Sequence, residues 1–303
     1  MIKQFSNLLA MMQTFPDEQS CIDHLRSIHW ENGAFCPHCG STKIYHFSDK
    51  RTHKCGDCRQ RFSIKVGTIF EDSKIELRKW FMAIYLMTSH KKGIASTQLA
   101  KDIGVTQKTA WFMLHRLRYA AETRSFKSPL KGEIEVDETF MGGKEKNKHA
   151  RKRKHLGTGG AGKTAVMGLL ERGGDLRAEK VENVKAATLH GKIAQHIAPG
   201  SLVVTDEWPG YNGLGGKYRH ERVRHSAHEY ARGKFHTNGI EGAWSHFKRQ
   251  VYGIHHWISP KHLDRYLDEF TYRFNRRGIG EGERMNDFLT RVAGRLSYRE
   301  LIA

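Results

Sequence analysis

Apolar side chains recur every three to four positions in several stretches of the chain, and this spacing predicts amphipathic or buried helices. The predicted helices cover residues 17–30, 74–88, 188–197 and 259–274. In the last stretch Ser259 precedes Pro260, and proline is favoured at the first position of a helix. Helices are therefore predicted before, between and after the segments with strand-like patterns.

Two other patterns predict β-strands. Residues 134–137 alternate apolar and polar positions, whereas residues 202–205 form a continuous apolar and β-branched run that suits a buried strand. Residues 165–170 and 176–181 flank a glycine pair and predict a hairpin, and residues 218–225 predict a further strand. Three strands, a helix and two more strands predict an α/β domain.

Acidic residues follow two of the predicted strands, and a third lies on a later helix. Asp137 and Asp206 stand at the ends of their strands, so neighbouring strands would bring the two carboxylates together. Asn238, Glu241 and Lys248 recur at i, i+3 and i+10 and share one helix face, which can meet both metal and phosphate. This arrangement predicts a nuclease-type site for two divalent cations, Mg²⁺ or Mn²⁺, that promotes attack on a phosphodiester.

Four of the five cysteines form two CxxC pairs separated by residues 40–54. The pairs are Cys36 with Cys39 and Cys55 with Cys58. This is the spacing of a zinc ribbon, in which the protein fills all four positions around a structural Zn²⁺. An alternative ligand set would replace one cysteine with His38 or His53. Paired cysteines of this kind also favour a reducing compartment over disulfides.

A helix-turn-helix is predicted after the helix at 74–88. Ser96 and Thr106 can each cap a short helix, and Gly104 supplies the turn between them. The residues expected to contact DNA are Gln107, Lys108 and Thr109 at base edges or phosphates, with Arg116 and Arg118 on the backbone. The alternative is an ordinary helical hairpin without a role in DNA binding.

The charge balance indicates a polyanionic partner. The chain has 51 lysine and arginine residues against 32 aspartate and glutamate residues, a formal net charge of +19. Neither an 18-residue apolar span nor a signal peptide is recognisable, so a cytoplasmic protein that does not enter membranes is expected. Residues 144–154 are basic without an apolar period and predict a mobile loop. Lys152 and Arg153 would there clamp DNA phosphates, unless the loop is only a solvated segment.

Residues 157–164 match the GxxxxGK[ST] pattern of a nucleotide-binding loop. Such a loop follows a buried strand and opens a helix, because its amide groups must converge on phosphate at a helix N-terminus. Here a basic segment precedes the pattern, and the apolar run after it predicts a strand. No nucleotide cofactor is therefore expected, and an ATP-driven nucleic-acid motor is disfavoured.

Several motifs occur together in the order of a known family. They are Glu135–Thr139, Thr205-Asp206, His236–Arg249 and Ser259–Leu263 running on to Tyr272–Arg277. With the zinc ribbon, they make nearly all 303 residues resemble insertion-sequence transposases of the DDE type, in the ISXO-like group. The resemblance implies a ribonuclease-H-like catalytic core that cuts and joins the ends of its own mobile element.

Three residues of this sequence are alternatives for the third metal ligand of the catalytic site. By resemblance the family uses glutamate or asparagine, and Glu241 is preferred to Asn238 because a carboxylate binds a divalent ion better than an amide. Its separation from Asp206, 241 − 206 = 35 residues, is typical of the class by resemblance. Glu269 is the remaining alternative, although a salt bridge to Arg273 at i+4 explains it better.

The predicted architecture has three parts. Residues 1–70 form an N-terminal helix and zinc ribbon, residues 71–124 the helix-turn-helix, and residues 125–303 the ribonuclease-H-like catalytic domain. The expected function is that of a homo-oligomeric transposase that binds double-stranded DNA at the terminal inverted repeats and target and performs metal-dependent strand cleavage and transfer. The alternative is a DNA-binding regulator with an inactive C-terminal domain, which would have no chemical reason to keep three acids.

Overall fold

The computed structural model describes residues 3–122, 128–143, 149, 151, 153, 160, 162–227 and 231–303. The helices are α1 Leu8–Thr14, α2 Glu18–His29, α3 Leu77–Ser89, α4 Ser96–Ile103, α5 Gln107–Ala121, α6 Ala186–His196, α7 Asn238–Gln250, α8 Leu263–Asn275, α9 Glu281–Leu289 and α10 Tyr298–Ile302. The strands are β1 Ile44–His46, β2 Thr52–Cys55, β3 Arg61–Ser63, β4 Glu133–Met141, β5 Thr164–Glu171, β6 Leu176–Val181, β7 Leu202–Thr205 and β8 Arg219–Arg222.

The chain divides into two compact units. One is Thr123–Asn275, and the other combines Met1–Glu122 with Arg276–Ala303. The predicted catalytic segment, residues 125–303, differs from this division in its last part. The reason lies in contacts within the second unit, where the Asn286 side chain hydrogen-bonds to buried His24 at 2.7 Å. Residues 276–303 therefore complete the unit that holds the zinc ribbon and the paired helices.

The sheet of the unit Thr123–Asn275 has five strands in the order β6-β5-β4-β7-β8. Strands β4, β5 and β6 are antiparallel neighbours, while β7 runs parallel to β4 and β8 parallel to β7. Helix α6 connects β6 to β7, as the alternation of patterns predicted. This strand order is that of the ribonuclease-H-like fold, so the predicted α/β class is confirmed.

Helices cover both faces of this sheet. On one face Ile134 and Val136 of β4 pack with Leu189 and Ile193 of α6 in a buried core. On the other face α7 and α8 contribute a second core. Gly168 of β5 lies beneath α7, and a β-carbon there would approach the Trp244 ring to 2.4 Å. Glycine at this position therefore lets α7 lie close to the sheet.

Helices α4 and α5 are joined by a short turn at the position where the sequence predicted a helix-turn-helix. Gly104 ends α4 in the left-handed conformation with φ of 62°, and the Thr106 side chain caps α5 by accepting a hydrogen bond from the Thr109 backbone. The predicted cap by Ser96 is wrong, because Ala95 is the N-cap and Ser96 is already helical. The Ser96 hydroxyl instead accepts a hydrogen bond from the Gln107 side chain at 2.9 Å.

The segment after the glycine-rich pattern is a strand. Thr164 begins β5, which pairs with β6 as the predicted hairpin. Residues 157–159 and 161 of the pattern lie outside the described residues. A nucleotide-binding loop of the GxxxxGK[ST] type would be followed by a helix, whereas this segment is followed by β5, the strand that the sequence predicted. Across the described ranges, no helix combines the length and apolar character needed to cross a membrane.

Candidate active site and metal centre

The four paired cysteines converge in the zinc ribbon. Their sulfur atoms all lie within 4.8 Å of one another, with Cys36 and Cys58 3.6 Å apart and Cys39 and Cys55 also 3.6 Å apart. A tetrahedral Zn²⁺ with bonds of 2.3 Å requires sulfur separations of about 3.8 Å. The four thiols that the sequence predicted as ligands are therefore close enough together to hold a structural zinc ion.

The histidine alternatives for this metal site have other surroundings. His53 is buried, and its ring nitrogen lies 2.9 Å from that of His46 on the adjacent strand. The His53 ring also packs against Trp30 at a centroid distance of 4.8 Å. His38 packs edge-on against Phe62. Both histidines thus belong to the packing around the ribbon.

Strand pairing brings Asp137 alongside Asp206 in the sheet. Parallel strands β4 and β7 pair in the register Ile134 with Val203 and Glu135 with Val204. Continued by two residues, this register sets Asp137 beside Asp206, which directly follows β7. Strand β4 continues to Met141, so Asp137 lies within its strand and not at its end as the sequence pattern suggested.

The start of α7 is fixed to β4 by a buried carboxylate. Glu135 is 2% exposed, and its Oε2 accepts a hydrogen bond from the backbone N–H of Ile240 at 2.9 Å. Its Oε1 accepts hydrogen bonds from Arg172 at 3.1 and 3.2 Å. A β-carbon on Gly239 would lie 2.8 Å from Glu135 Oε2. Glycine at 239 and the ion pair with Arg172 together allow this contact.

Helix α7 carries the remaining predicted site residues. Asn238 is its first residue, and Glu241 is exposed, with Oε1 accepting a hydrogen bond from Thr237 Oγ1 at 2.7 Å. Lys248 is half-buried two turns further along. Asp137 interacts electrostatically with both Glu241 and Lys248. Glu241 and Lys248 on this helix are therefore close enough to Asp137 of β4 to affect its charge.

Burial and like charge strongly perturb the carboxyl groups around Asp137. Burial, with the charges of Asp206 and Glu241, raises the pKa of Asp137 to about 7, whereas Lys248 acts in the opposite direction. Burial and the charges of Asp137 and Asp206 also raise the pKa of Glu138 to about 7. Negative charge is therefore under-compensated here, which is the condition that a bound divalent cation relieves.

The acids do not converge as tightly as the ribbon thiols. Within the part of the chain that the structure describes, only the four cysteines form a group of three or more ligands within 4.8 Å. The donor set of Asp137, Asp206 and Glu241 is nevertheless entirely carboxylate oxygen, the type that Mg²⁺ and Mn²⁺ prefer. These side chains fit a divalent cation by chemistry and charge.

Glu269, the third alternative acid, is fully buried on α8. It pairs with Arg273, which also donates a hydrogen bond to the Gln250 side chain at 2.6 Å. The predicted salt bridge at i+4 is confirmed. Glu269 thus serves the packing of α8.

Sequence reasoning missed several residues around the acids. A cavity of about 160 Å³ is lined by Asp137, Glu138, Phe140, Val184, Asp206 and Trp208. The position of Glu138 directly after Asp137, and of Trp208 two residues after Asp206, is the sequence signal that could have identified them. Glu135 could have been noticed because it shares the strand face of Asp137.

The residues predicted to contact DNA have different surroundings. Gln107 and Lys108 are exposed at the start of α5, where the Lys108 ammonium lies 5.2 Å from the centroid of the Tyr298 ring. Thr109 is half-buried. Arg153 is exposed, and Lys152 lies outside the described residues.

The predicted role of Arg116 in contacting DNA is wrong. Arg116 is 6% exposed and donates hydrogen bonds to the carbonyl groups of Ile69, Glu71 and Leu296 at 2.8 to 3.0 Å. Arg118 is also buried, at 1% exposure. These guanidinium groups are directed into the protein, where phosphate cannot reach them.

Comparisons with known proteins agree with this architecture. Residues 129–275 match the ISXO2-like transposase domain, and residues 16–61 match the transposase zinc-ribbon domain. The chain is similar to an "Uncharacterized protein in transposable element ISH50" of Halobacterium salinarum, with 30% identity over 86% of this chain and 92% of the relative. An "Uncharacterized transposase-like protein" of Haemophilus influenzae is 36% identical over 33% of this chain and 80% of its own length.

Among solved structures, a crystal structure of a pre-cleavage Mos1 transpososome is similar over 71% of this chain and 79% of that chain, with 13% identity and a TM-score of 0.26. The two family matches cover both the metal centre and the acid-bearing sheet, and the relative from Halobacterium salinarum matches nearly end to end. The chain therefore belongs to the ISXO2-like family of insertion-sequence transposases.

Proposed function

We propose that this transposase binds the terminal inverted repeats of its own element and performs strand cleavage and strand transfer at the site formed by Asp137, Asp206 and Glu241. The single observation that supports the proposal is the register of β4 and β7, which, continued by two residues, pairs Asp137 with Asp206. Chemistry on DNA needs a site at which a phosphate approaches the carboxylates and a positive charge together, and Asp137, Asp206 and Lys248 offer these groups.

Each side chain has a distinct role in this proposal. Asp137 and Asp206 hold two divalent cations, Mg²⁺ or Mn²⁺, and Glu241 completes the set from α7. When bound, the cations supply Lewis-acid activation of the attacking water or 3′-hydroxyl and neutralise charge on the phosphate. Lys248 contacts a phosphate oxygen. Asn238 lies one turn before Glu241 on α7. Its side-chain amide donates a hydrogen bond to the DNA backbone, or its amide oxygen replaces Glu241 as the third metal ligand.

DNA recognition is assigned to the unit that contains the zinc ribbon. In that unit, Gln107, Lys108 and Thr109 at the start of α5 read base edges or phosphates. The exposed Arg153, which lies in the unit Thr123–Asn275, contacts DNA phosphates. We keep the predicted division of roles: residues 1–70 form the zinc ribbon, residues 71–124 bind DNA, and residues 125–303 carry the catalytic site. Residues 276–303 of the last range pack in the same unit as residues 1–122. Because joining acts on two element ends, the protein works as a homo-oligomer on DNA.

The experiment uses purified protein and a labelled duplex that carries one terminal repeat of the element with its flanking DNA. With Mg²⁺ or Mn²⁺ a nick or break is expected at the repeat boundary, and EDTA should abolish it. Sequence-specific binding without cleavage in either metal would favour the regulator instead. A cleavage product that persists in EDTA would contradict the metal-dependent site.

A further inference from the structure

Trp208 is an exposed aromatic side chain held in one orientation beside the acids. It is 44% exposed, yet its indole N–H donates a hydrogen bond to the Val184 carbonyl at 3.1 Å. Its backbone N–H donates to Asp206 Oδ1 at 2.9 Å. The ring is thus fixed at one edge by Val184, and its backbone is tied to the carboxylate of Asp206.

Gly210 makes room for this arrangement. A β-carbon at 210 would lie 2.7 Å from the indole nitrogen of Trp208 and 2.9 Å from the Val184 carbonyl. Any larger residue would displace the ring or break its hydrogen bond. The local sequence therefore preserves a defined ring position, although almost half of the side chain is open to solvent.

The location of the ring indicates what it can meet. Trp208 lines the same cavity as Asp137 and Asp206. A phosphate bound at these carboxylates would be flanked by a nucleotide on each side, and Trp208 is the aromatic residue with an exposed ring in the lining of this cavity. An exposed, preorganised indole is suited to base stacking, because every base has a π-face and stacking tolerates any sequence.

We propose that Trp208 stacks on the base of a nucleotide adjoining the scissile phosphate and so positions the strand for cleavage. This inference rests on the proposed function, since it uses the acids to place the phosphate. The hydrogen bond to Val184 orients the ring, and Gly210 permits it. Trp208 is therefore a substrate-binding residue, and it strengthens binding of the strand whichever base lies next to the cleaved phosphate.

The test combines protein variants with modified DNA. Cleavage and binding are measured for wild type, Trp208→Ala, Trp208→Phe and Gly210→Ala on end-repeat duplexes with one abasic site at each position around the cut. Trp257→Ala is the matched control, because Trp257 is 64% exposed and lies in the chain segment after α7. Thermal unfolding of each variant verifies that it is folded.

Stacking predicts one position at which removing the base lowers wild-type cleavage roughly 5- to 150-fold. At that position Trp208→Ala should show no further loss, Trp208→Phe should retain most activity, and Gly210→Ala should resemble Trp208→Ala. The Trp257→Ala control should behave as wild type at every position. Additive losses at all positions would overturn the inference.

The outcomes also separate this inference from the proposed function. If wild type binds the repeat and fails to cleave it, the proposed chemistry is wrong. The protein variants are then compared by their binding affinity for the duplexes with abasic sites. One position at which base removal and Trp208→Ala are non-additive in affinity supports stacking even then. Additive effects on affinity overturn it.

Discussion

The buried carboxylate of Glu135 accepts a hydrogen bond from the backbone N–H of Ile240 at 2.9 Å, and this contact joins the central strand to the first turn of α7. Asp137 lies two residues further along the same strand face, and Glu241 follows Ile240 directly. The bond therefore fixes the distance between the acids of the sheet and the acid of the helix. It also satisfies one of the amide groups that a helix leaves unpaired at its start.

Gly239→Ala is predicted to lower the cleavage rate, because it disturbs the contact between Glu135 and the first turn of α7. The new β-carbon would lie 2.8 Å from Glu135 Oε2 and 2.9 Å from a Leu170 methyl, so α7 must shift away from β4. Overpacking of this kind destabilises a protein by about 1–3 kcal/mol. We expect a fall in thermal stability and a larger fall in cleavage rate.

Gly242→Ala is the control on the same helix. A β-carbon at 242 meets no atom within 4 Å, and alanine improves helix propensity by about 1 kcal/mol. Stability should rise or stay the same, and cleavage should be retained. Equal effects of Gly239→Ala and Gly242→Ala on stability and cleavage would show that the contact between Glu135 and α7 does not matter for cleavage.

Zinc is predicted to hold the ribbon together. The sulfur separations fit a closed tetrahedral site, and a module this small depends on its metal for folding. Purified protein should contain one zinc ion per chain after dialysis, as measured by elemental analysis, and Cys36→Ser should lose it and unfold the ribbon. Cys21→Ser, at the fifth cysteine, is the control and should keep the metal. Folded wild-type protein without zinc would contradict this account.

Lys108 is predicted to contact phosphate in the element end. Because a phosphate contact releases about one counterion, Lys108→Ala should weaken binding and reduce the salt slope by about 1, while Lys108→Arg keeps the slope. Gln107→Ala should weaken specific binding without a change in slope. A gel-shift titration at several salt concentrations measures both quantities. Unchanged affinity for both alanine variants would remove α5 from the DNA interface.

Arg116→Ala is predicted to act on stability and not through a lost phosphate contact. Its guanidinium group satisfies the carbonyls of Ile69, Glu71 and Leu296, and each buried acceptor left unpaired costs about 1–3 kcal/mol. Thermal unfolding should therefore detect a large loss. The salt slope of DNA binding for the fraction that remains folded should match wild type, and a slope reduced by one would return Arg116 to the DNA interface.

Without divalent cations, Asp137→Asn is predicted to stabilise the protein at alkaline pH. The pKa of Asp137 is raised from an ordinary 3.8 to about 7, chiefly by burial. The folded chain thus holds the proton more tightly than the unfolded chain, so wild-type stability falls as pH rises from about 4 to about 7. The variant lacks this dependence. Its melting temperature should exceed that of wild type above pH 7, and the difference should vanish near pH 4.

Magnesium provides the companion measurement for this prediction. A cation that neutralises the acids should raise the melting temperature of wild type more than that of Asp137→Asn at pH 8. Identical pH profiles for the two proteins, or identical responses to magnesium, would contradict the electrostatic description of the site.

The sequence predicted the parts of this molecule that depend on local pattern. The buried run before Asp206, the hairpin of β5 and β6, and the paired cysteines are all visible in residue order. Contacts between distant segments are not. The spacing of α5 placed Arg116 further along a DNA-contacting helix, because nothing local indicates that the carbonyl of Leu296 covers it.

The surroundings of the acids show the same limit. The apolar runs before Asp137 and Asp206 made these acids candidates, but the orientation of Trp208 depends on the Val184 carbonyl, 24 residues earlier in the chain. Glu135 was visible as a charged residue on the face of Asp137. Its role in holding α7 follows only from the tertiary approach of Gly239 and Ile240.

The most direct measurement is cleavage and joining of a labelled end-repeat duplex by Asp137→Asn and Asp206→Asn, with a gel-shift on the same DNA. Asp264→Asn, an acid on α8 paired with Lys180, serves as the control. In parallel, Glu241→Gln and Asn238→Ala identify the third ligand as the residue whose replacement abolishes activity. Both sheet variants are expected to bind DNA at least as well as wild type and to cleave none of it, while Asp264→Asn should retain activity. Full cleavage by either Asp137→Asn or Asp206→Asn would contradict it.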